Sequence, residues 1–207
     1  MGMMDQLRGR VPTLIGIEEY KKSAVVIPLI EKVDGSFDVL FQVRSGKLKR
    51  QPGEICFPGG GREAGETLKE TAVREICEEM LIEASQVEVV AAMDILVTPN
   101  MMVHPYLAIL KNYQGTYSKD EVAEVFTVPL TFFMENKPEI YYNESKVVIT
   151  EDTDLPLDRI PNGVNYRWAV GRYPVMFYDY KGYNIWGMTA RIMECAARVM
   201  AAAQGDK

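Results

Sequence analysis

Apolar residues arrive in short blocks whose spacing changes along the chain, and those changes mark out its elements. Residues 23–30 form an apolar, β-rich block, Asp34-Gly35 supplies a turn, and apolar and polar side chains then alternate through 37–43. That succession predicts a β-hairpin. A glycine- and proline-dense loop follows at 51–61, and the period lengthens to that of an amphipathic helix over 67–81. Segments 87–97 and 103–110 read as two more strands, and 121–133 as a strand that enters a short helix through Pro129. A second hairpin is expected from 175–180, the turn Lys181-Gly182 and 183–186, and an amphipathic helix over 188–203 closes the chain.

Strands and helices mix without the regular alternation of a parallel βαβ fold, which sets the class as α+β, a mixed α/β sandwich. At 207 residues the chain is long for one compact domain and short for two. We expect a single domain, with residues 1–22 as an N-terminal extension and 151–170 as a surface insertion. The insertion is acidic and proline-bearing over 151–165, with a turn at Pro161-Asn162-Gly163.

Composition narrows the partners. Asp and Glu number 29 against 23 Lys and Arg, and the formal net charge of −6 argues against a protein that tracks nucleic-acid phosphates. No segment approaches the roughly 20 apolar residues that span a bilayer, and residues 1–10 lack the apolar core of an export signal. Gly2 follows Met1, but Gln6 stands where a myristoylation signal has Ser or Thr. The expectation is a soluble, cytoplasmic protein with no membrane or nucleic-acid partner. Cys56, Cys77 and Cys195 lie far apart and are odd in number, which fits small apolar residues in a reducing cytosol. His104 is the only histidine, so a histidine-rich zinc site is excluded and a catalytic role for it has little to support it.

Chemistry concentrates in the helix of 67–81. Thr67 followed three residues later by Glu70 is a capping-box pattern, so the helix should begin there. Ala72, Val73, Ile76, Cys77 and Met80 gather on one apolar face at about 100° per residue, and Glu75, Glu78 and Glu79 fall on an adjoining arc. Like charges at these spacings destabilise a bare helix by a few tenths of a kcal/mol per pair. A bound divalent cation would reverse that penalty, and an oxygen-only ligand set suits Mg²⁺ or Mn²⁺ better than zinc. Most glutamate clusters are nevertheless no more than solvated helix faces.

The wider stretch carries a longer pattern: Gly60, Glu66, Arg74-Glu75-Ile76, Glu78-Glu79 and Ile82 occur at the spacing of the Nudix box. The chain therefore resembles the Nudix hydrolases. The resemblance implies a mixed β-sheet between helices and metal-dependent hydrolysis of a nucleoside diphosphate linked to another group. By the same resemblance Glu75, Glu78 and Glu79 are metal ligands or water activators, and Arg74 orients the carboxylates. Glu66 would brace loop and helix, and Gly59 and Gly60 would let backbone approach the site. Leu81 stands where the box has glycine, which leaves the helix without an easy left-handed ending.

Just upstream, Arg44-Ser45, Leu48 with its basic neighbours, Gly53 and Phe57-Pro58-Gly59-Gly60 resemble the signature of coenzyme A pyrophosphatases, with Gln51 where many members have His. Trp186-Gly187-Met188-Thr189-Ala190 is similar to that subfamily's Trp-Gly-x-Thr-Ala ending. Arg44, Lys47, Lys49 and Arg50 put clustered positive charge in an acidic protein, which would suit the extra 3′-phosphate of coenzyme A, though a solvated basic loop has the same composition. The implied reaction converts coenzyme A, or an acyl or oxidised form, to 3′,5′-ADP and a 4′-phosphopantetheine species. Glu121 or Glu124 could add a base or a further ligand.

Other readings stay open. ADP-ribose pyrophosphatase activity is the nearest alternative, with Pro99 placed roughly where that group has a proline. A module that kept the fold and lost catalysis is the alternative of another class, opposed by the retained, mutually repelling carboxylates. Tyr106, Tyr113, Phe132, Phe133, Tyr141 and Tyr142 could line an adenine pocket or a homodimer face, with core packing expected for most.

Overall fold

The structure is a computed structural model, and it describes residues 3–150 and 152–205. Met1, Gly2 and Glu151, the first residue of the acidic insertion, lie outside the described residues. In chain order the elements are α1 (Met3–Leu7), β1 (Lys21–Glu31), β2 (Phe37–Arg44), β3 (Ile55–Cys56), β4 (Gly59–Gly61) and α2 (Leu68–Met80). They continue with β5 (Val87–Ala92), β6 (Leu96–Val97), β7 (Met101–Leu110), β8 (Val122–Pro129), α3 (Leu130–Glu135), β9 (Glu139–Ser145), β10 (Gly171–Tyr180), β11 (Tyr183–Trp186) and α4 (Gly187–Gly205). The class is α+β with a mixed sheet, as the sequence pattern indicates. No helix of the described residues is long and apolar enough to cross a membrane.

The chain divides into two compact units, one made of the chain up to Leu29 with Pro58–Ser118, the other of Ile30–Phe57 with the chain from Lys119 on. In the first unit β1 runs parallel to β7, from Lys21 opposite Met101 to Leu29 opposite Ile109. The unbroken apolar run of β1 suits this setting, because a strand flanked by a parallel partner is buried on both faces: Ala24, Val26 and Ile27 are fully buried. β4 pairs antiparallel with β1, and β5 and β6 pair antiparallel with β7. α2 covers β4 and β7 with its apolar face, burying Ala72, Ile76 and Met80 completely.

In the second unit β2 pairs antiparallel with β3 and β8, while β9, β10 and β11 form a separate antiparallel sheet in the order β11-β10-β9. Phe41 anchors the core, its ring 4.9 Å from Phe57, 5.6 Å from Phe126 and 5.7 Å from Phe133. α4 lies on β10 and β11, and its small residues Ala190, Ala196 and Ala197 let the helix approach closely.

Four segments depart from the sequence pattern. The expected loop at 51–61 contains β3 and β4, short strands of two and three residues that find partners only through distant chain. The expected strand at 87–97 is broken into β5 and β6. β9 carries no alternation because every one of its residues is exposed, so nothing in its pattern distinguishes the two faces. Tyr141 and Tyr142 therefore stand 58% and 54% exposed rather than in the core, whereas Phe133 is buried. Lastly, α1 forms within the segment read as an extension.

α2 ends in a left-handed residue after all. Leu81 has φ 53° and ψ 51°, its N–H bonded to the Cys77 carbonyl, which also accepts from Ile82 N–H at 3.2 Å. Leucine thus takes the conformation that glycine adopts most easily, at a cost of about 1–2 kcal/mol. Leu81 is 59% exposed, so its side chain returns little in burial. Leu81→Gly should raise stability by about 1 kcal/mol in urea denaturation; an unchanged or lowered midpoint would refute strain at this cap.

Candidate functional site

The acidic helix starts as its capping box requires, with Glu70 N–H donating to Thr67 Oγ1 at 3.3 Å and Thr67 N–H donating to Glu70 Oε2 at 2.8 Å. Fixing the first turn fixes the azimuth of every later side chain. One turn on, Arg74 becomes the hub of the site. Its Nε and Nη2 reach the Glu66 carboxylate at 2.6 and 3.2 Å. Its Nη1 donates to Glu75 Oε1 at 2.9 Å and to Glu78 Oε2 at 3.2 Å, and Nη2 also reaches the Gly61 carbonyl at 3.2 Å. The planar fork can hold several acceptors at once, which the single ammonium of lysine could not do in this geometry.

Glu66 is further tied by Glu63 N–H at 3.0 Å and by Thr71 Oγ1 at 2.8 Å. The Arg74 guanidinium, with help from Glu63 N–H and Thr71, outweighs desolvation and holds the Glu66 carboxyl at about 2, well below the usual carboxylate range. The same pairing drives Arg74 further above its ordinary value.

Two glycines receive the remaining acids. A Cβ built on Gly60 would overlap the Glu75 carboxylate, so this side chain rests directly on the glycine backbone. Gly59 N–H donates to Glu79 Oε2 at 2.9 Å, and Glu79 is buried, only 3% exposed. A Cβ on Gly59 would strike the Ala24 carbonyl of β1. Both glycines are thus required by close approach.

Glu75, Glu78 and Glu79 share one stretch of helix, but Glu75 and Glu78 turn to Arg74 Nη1 while Glu79 turns to Gly59 N–H. Among the described residues no three acidic, histidine or cysteine side chains converge on one point as ready metal ligands. In kind the set fits a hard dication: every donor is a carboxylate oxygen, and the cradle at Gly60 holds one of them against bare backbone. A groove of about 800 Å³ runs along the outer flank of α2, past Glu66, Val73, Arg74, Cys77, Glu78 and Ile82. It touches neither Glu75 nor Glu79, so its size alone does not mark the chemistry.

The other sequence candidates belong to the second unit. Arg44 N–H bonds the Glu54 carbonyl at 2.9 Å and Gly53 N–H bonds the Arg44 carbonyl at 3.0 Å, closing the basic loop on itself. Arg44 Nε donates to the Arg50 carbonyl at 3.4 Å, and Lys47 Nζ pairs with Asp120 at 3.1 Å. Lys47 and Asp120 are both largely exposed, so that ion pair contributes little. Lys49 and Arg50 are exposed. Glu121 is exposed, with its carbonyl accepting from Ser45 N–H at 2.8 Å. Glu124 accepts a hydrogen bond from the Tyr183 hydroxyl, whose ring stacks on Phe126 at 3.7 Å.

His104 is half-buried in β7, and burial, with Lys22 nearby, lowers its pKa. Sequence reasoning did not single out Thr71, fully buried beneath Glu66, or the Tyr183 that engages Glu124. Thr71 lies one turn past the cap, a position that hints at inward orientation; Tyr183 meets Glu124 across 59 residues, with no local signal.

A loop-and-helix in which glycine backbone, an arginine hub and ordered carboxylates are interlocked defines a recognisable class. The NUDIX domain model matches residues 20–148, and the chain belongs to the Nudix family. A Mus musculus protein named peroxisomal coenzyme A diphosphatase NUDT7 is 43% identical over 126 residues, covering 59% of this chain and 52% of its own. The Arabidopsis thaliana protein Nudix hydrolase 15, mitochondrial, is 32% identical over 190 residues, covering 86% of this chain and 58% of its own. The chain thus spans about half the length of these relatives. Among solved structures, a MutT/nudix family protein from Enterococcus faecalis aligns over 97% of this chain and 70% of its own with a TM-score of 0.50 at 14% identity, a likeness of fold alone.

Two predictions follow from the clamp. Gly60→Ala should destabilise by about 1–3 kcal/mol because the Glu75 carboxylate must move. The double variant Gly60→Ala/Glu75→Ala should cost clearly less than the two single changes together, and strict additivity in urea denaturation would rule out this contact. Because the folded-state pKa of Glu66 lies below its ordinary 4.5, at about 2, its stabilisation is present above pH 4.5 and is lost as pH falls toward 2. Glu66→Gln should therefore lower stability at neutral pH and flatten the fall between these values; an unchanged acid slope would contradict the pairing.

Proposed function

We propose that this chain is a divalent-metal-dependent pyrophosphohydrolase whose preferred substrate is coenzyme A or an acyl or oxidised derivative. The observation that carries the proposal is the Arg74 hub, which keeps Glu75 and Glu78 side by side against their mutual repulsion. Glu75, Glu78 and Glu79 would hold Mg²⁺ or Mn²⁺, which when bound neutralises diphosphate charge and acidifies a water. Arg74 orients Glu75 and Glu78, and Glu66 holds Arg74. Gly59 and Gly60 give Glu79 and Glu75 their seats.

The reaction is attack of water oxygen on a phosphorus of the diphosphate with cleavage of its bridging P–O bond, so each product keeps one of the two diphosphate phosphates, and the adenosine product also keeps its 3′-phosphate. The proton of the attacking water passes to a carboxylate, with Glu121 as the candidate base outside the helix. Arg44, Lys47, Lys49 and Arg50 would receive the substrate's phosphates, and the closed main-chain hydrogen bonds of their loop reduce the ordering needed on binding. Support for coenzyme A over other diphosphates comes from the motif of 44–60 and from relatives named coenzyme A diphosphatases in mouse and Caenorhabditis elegans. We also place the protein in a reducing cytoplasm, where its cysteines remain thiols; the relatives' names point instead to peroxisome and mitochondrion.

Purified protein incubated with Mg²⁺ or Mn²⁺ and coenzyme A, ADP-ribose, NADH or diadenosine polyphosphates should cleave coenzyme A with the highest kcat/KM. Faster turnover of ADP-ribose would transfer the assignment to that substrate. Glu79→Gln retains an acceptor for Gly59 N–H, so it should lose at least about a hundredfold in kcat while stability changes by no more than about 1 kcal/mol. Retained turnover would remove Glu79 from the metal site.

A further inference from the structure

In the sheet of β9, β10 and β11, α4 covers one face of β10 and β11 and the opposite face is bare. Tyr178 and Ile185, paired across β10 and β11, are buried on the side of α4. On the other side Tyr141 pairs with Val175, Glu139 with Phe177, Phe177 with Trp186, and Asp179 with Asn184. Alternation along each strand therefore brings Tyr141, Phe177 and Trp186 onto a single face with Glu139 and Asp179. The Tyr141 and Phe177 rings meet edge to face at 5.7 Å and 84°, and Phe177 and Trp186 lie nearly parallel at 5.9 Å. A groove of about 650 Å³ runs over these rings. Tyr141 and Trp186 remain 58% and 40% exposed. Among the described residues no strand pairs with the outer edge of β9.

Contiguous exposed aromatic surface beside an open strand edge marks an interaction site in a soluble protein. Charge selects the occupant. Among the described residues the Glu139 carboxylate accepts from the Tyr141 hydroxyl at 2.9 Å and that of Asp179 from the Gly182 N–H at 3.4 Å, and neither has an ion pair. Two carboxylates without counter-charge flanking π-faces repel polyphosphate and attract an organic cation. Face-to-face docking of two copies would set the same acids against each other, since a two-fold interface repeats its own patch. Edge pairing of two β9 strands would leave Phe177 and Trp186 uncovered.

We propose that this face binds an extended, arginine- or lysine-bearing segment of a partner protein, which lies along β9 with its basic side chains over Tyr141 and Phe177 and between Glu139 and Asp179. Main-chain groups of the segment complete the open edge, and alternate side chains face the rings. The surface is distinct from the residues assigned to hydrolysis, so its success or failure is independent of that assignment.

The test uses the full chain carrying Trp168→Phe, so that fluorescence reports Trp186 alone, titrated with a short capped peptide alternating arginine and threonine. We expect a saturable fluorescence change that high salt weakens, added hydrogen-exchange protection at β9 amides, and no response to a peptide alternating glutamate and threonine. Glu139→Gln/Asp179→Asn, which keeps both hydrogen-bond acceptors, should weaken binding at least about tenfold. Absence of saturable binding, equal binding of the acidic peptide, or indifference to the double substitution would overturn the proposal. So would sedimentation of the protein as a dimer with β9 amides already protected, which would make the face a self-interface.

Discussion

Several carboxylates crowded onto little more than one helical turn repel one another, and a single guanidinium answers that repulsion. Arg74 reaches Glu66, Glu75, Glu78 and the Gly61 carbonyl through three nitrogens. The arrangement works because the fork is rigid and permanently charged, so it fixes the directions of acids on both sides of it as well as their net charge. Glu66, locked in turn by Thr71 and by the loop at Glu63, transmits the position of the loop to the helix. Loop and helix therefore form one electrostatic unit, with Glu75 and Glu78 both oriented from Arg74 Nη1.

Glycine supplies the other half of the constraint. Charge can hold Glu75 and Glu79 near the loop only if the loop has room for them, and room is made by omitting Cβ atoms at Gly60 and Gly59. Gly59 also offers its N–H to the buried Glu79, compensating a carboxylate that desolvation would otherwise penalise. Close approach, ion pairing and backbone donation thus converge on the same few residues, which explains why the family pattern couples glycines to acids at a fixed spacing.

The second unit treats its charges differently. Its basic loop is shaped by main-chain hydrogen bonds and leaves Lys47, Lys49 and Arg50 exposed. Its aromatic residues divide between a packed cluster around Phe41 and the bare face of β9–β11. The same residue type therefore serves cohesion in one place and is left unsatisfied in another, with α4 deciding which side is covered.

Much of this was legible in the chain itself wherever cause and effect lie within one or two turns. The capping box of Thr67 and Glu70, the apolar face of Ala72, Ile76 and Met80, the acidic arc beside it and the turn at Lys181-Gly182 all depend on neighbours within about four residues. The helix end at Leu81, the strands within the 51–61 loop, the exposed strand β9, the seat of Glu75 on Gly60 and the bond from Tyr183 to Glu124 were decided only by tertiary structure. Most need a partner many residues away: β4 exists because β1 pairs with it, and Tyr183 reaches Glu124 across 59 residues, while Leu81 turns left-handed with its N–H bonded one turn back to Cys77. A local pattern records which side chains an element can bury, but the free energy of a long-range contact belongs to both partners, and neither segment read alone contains it.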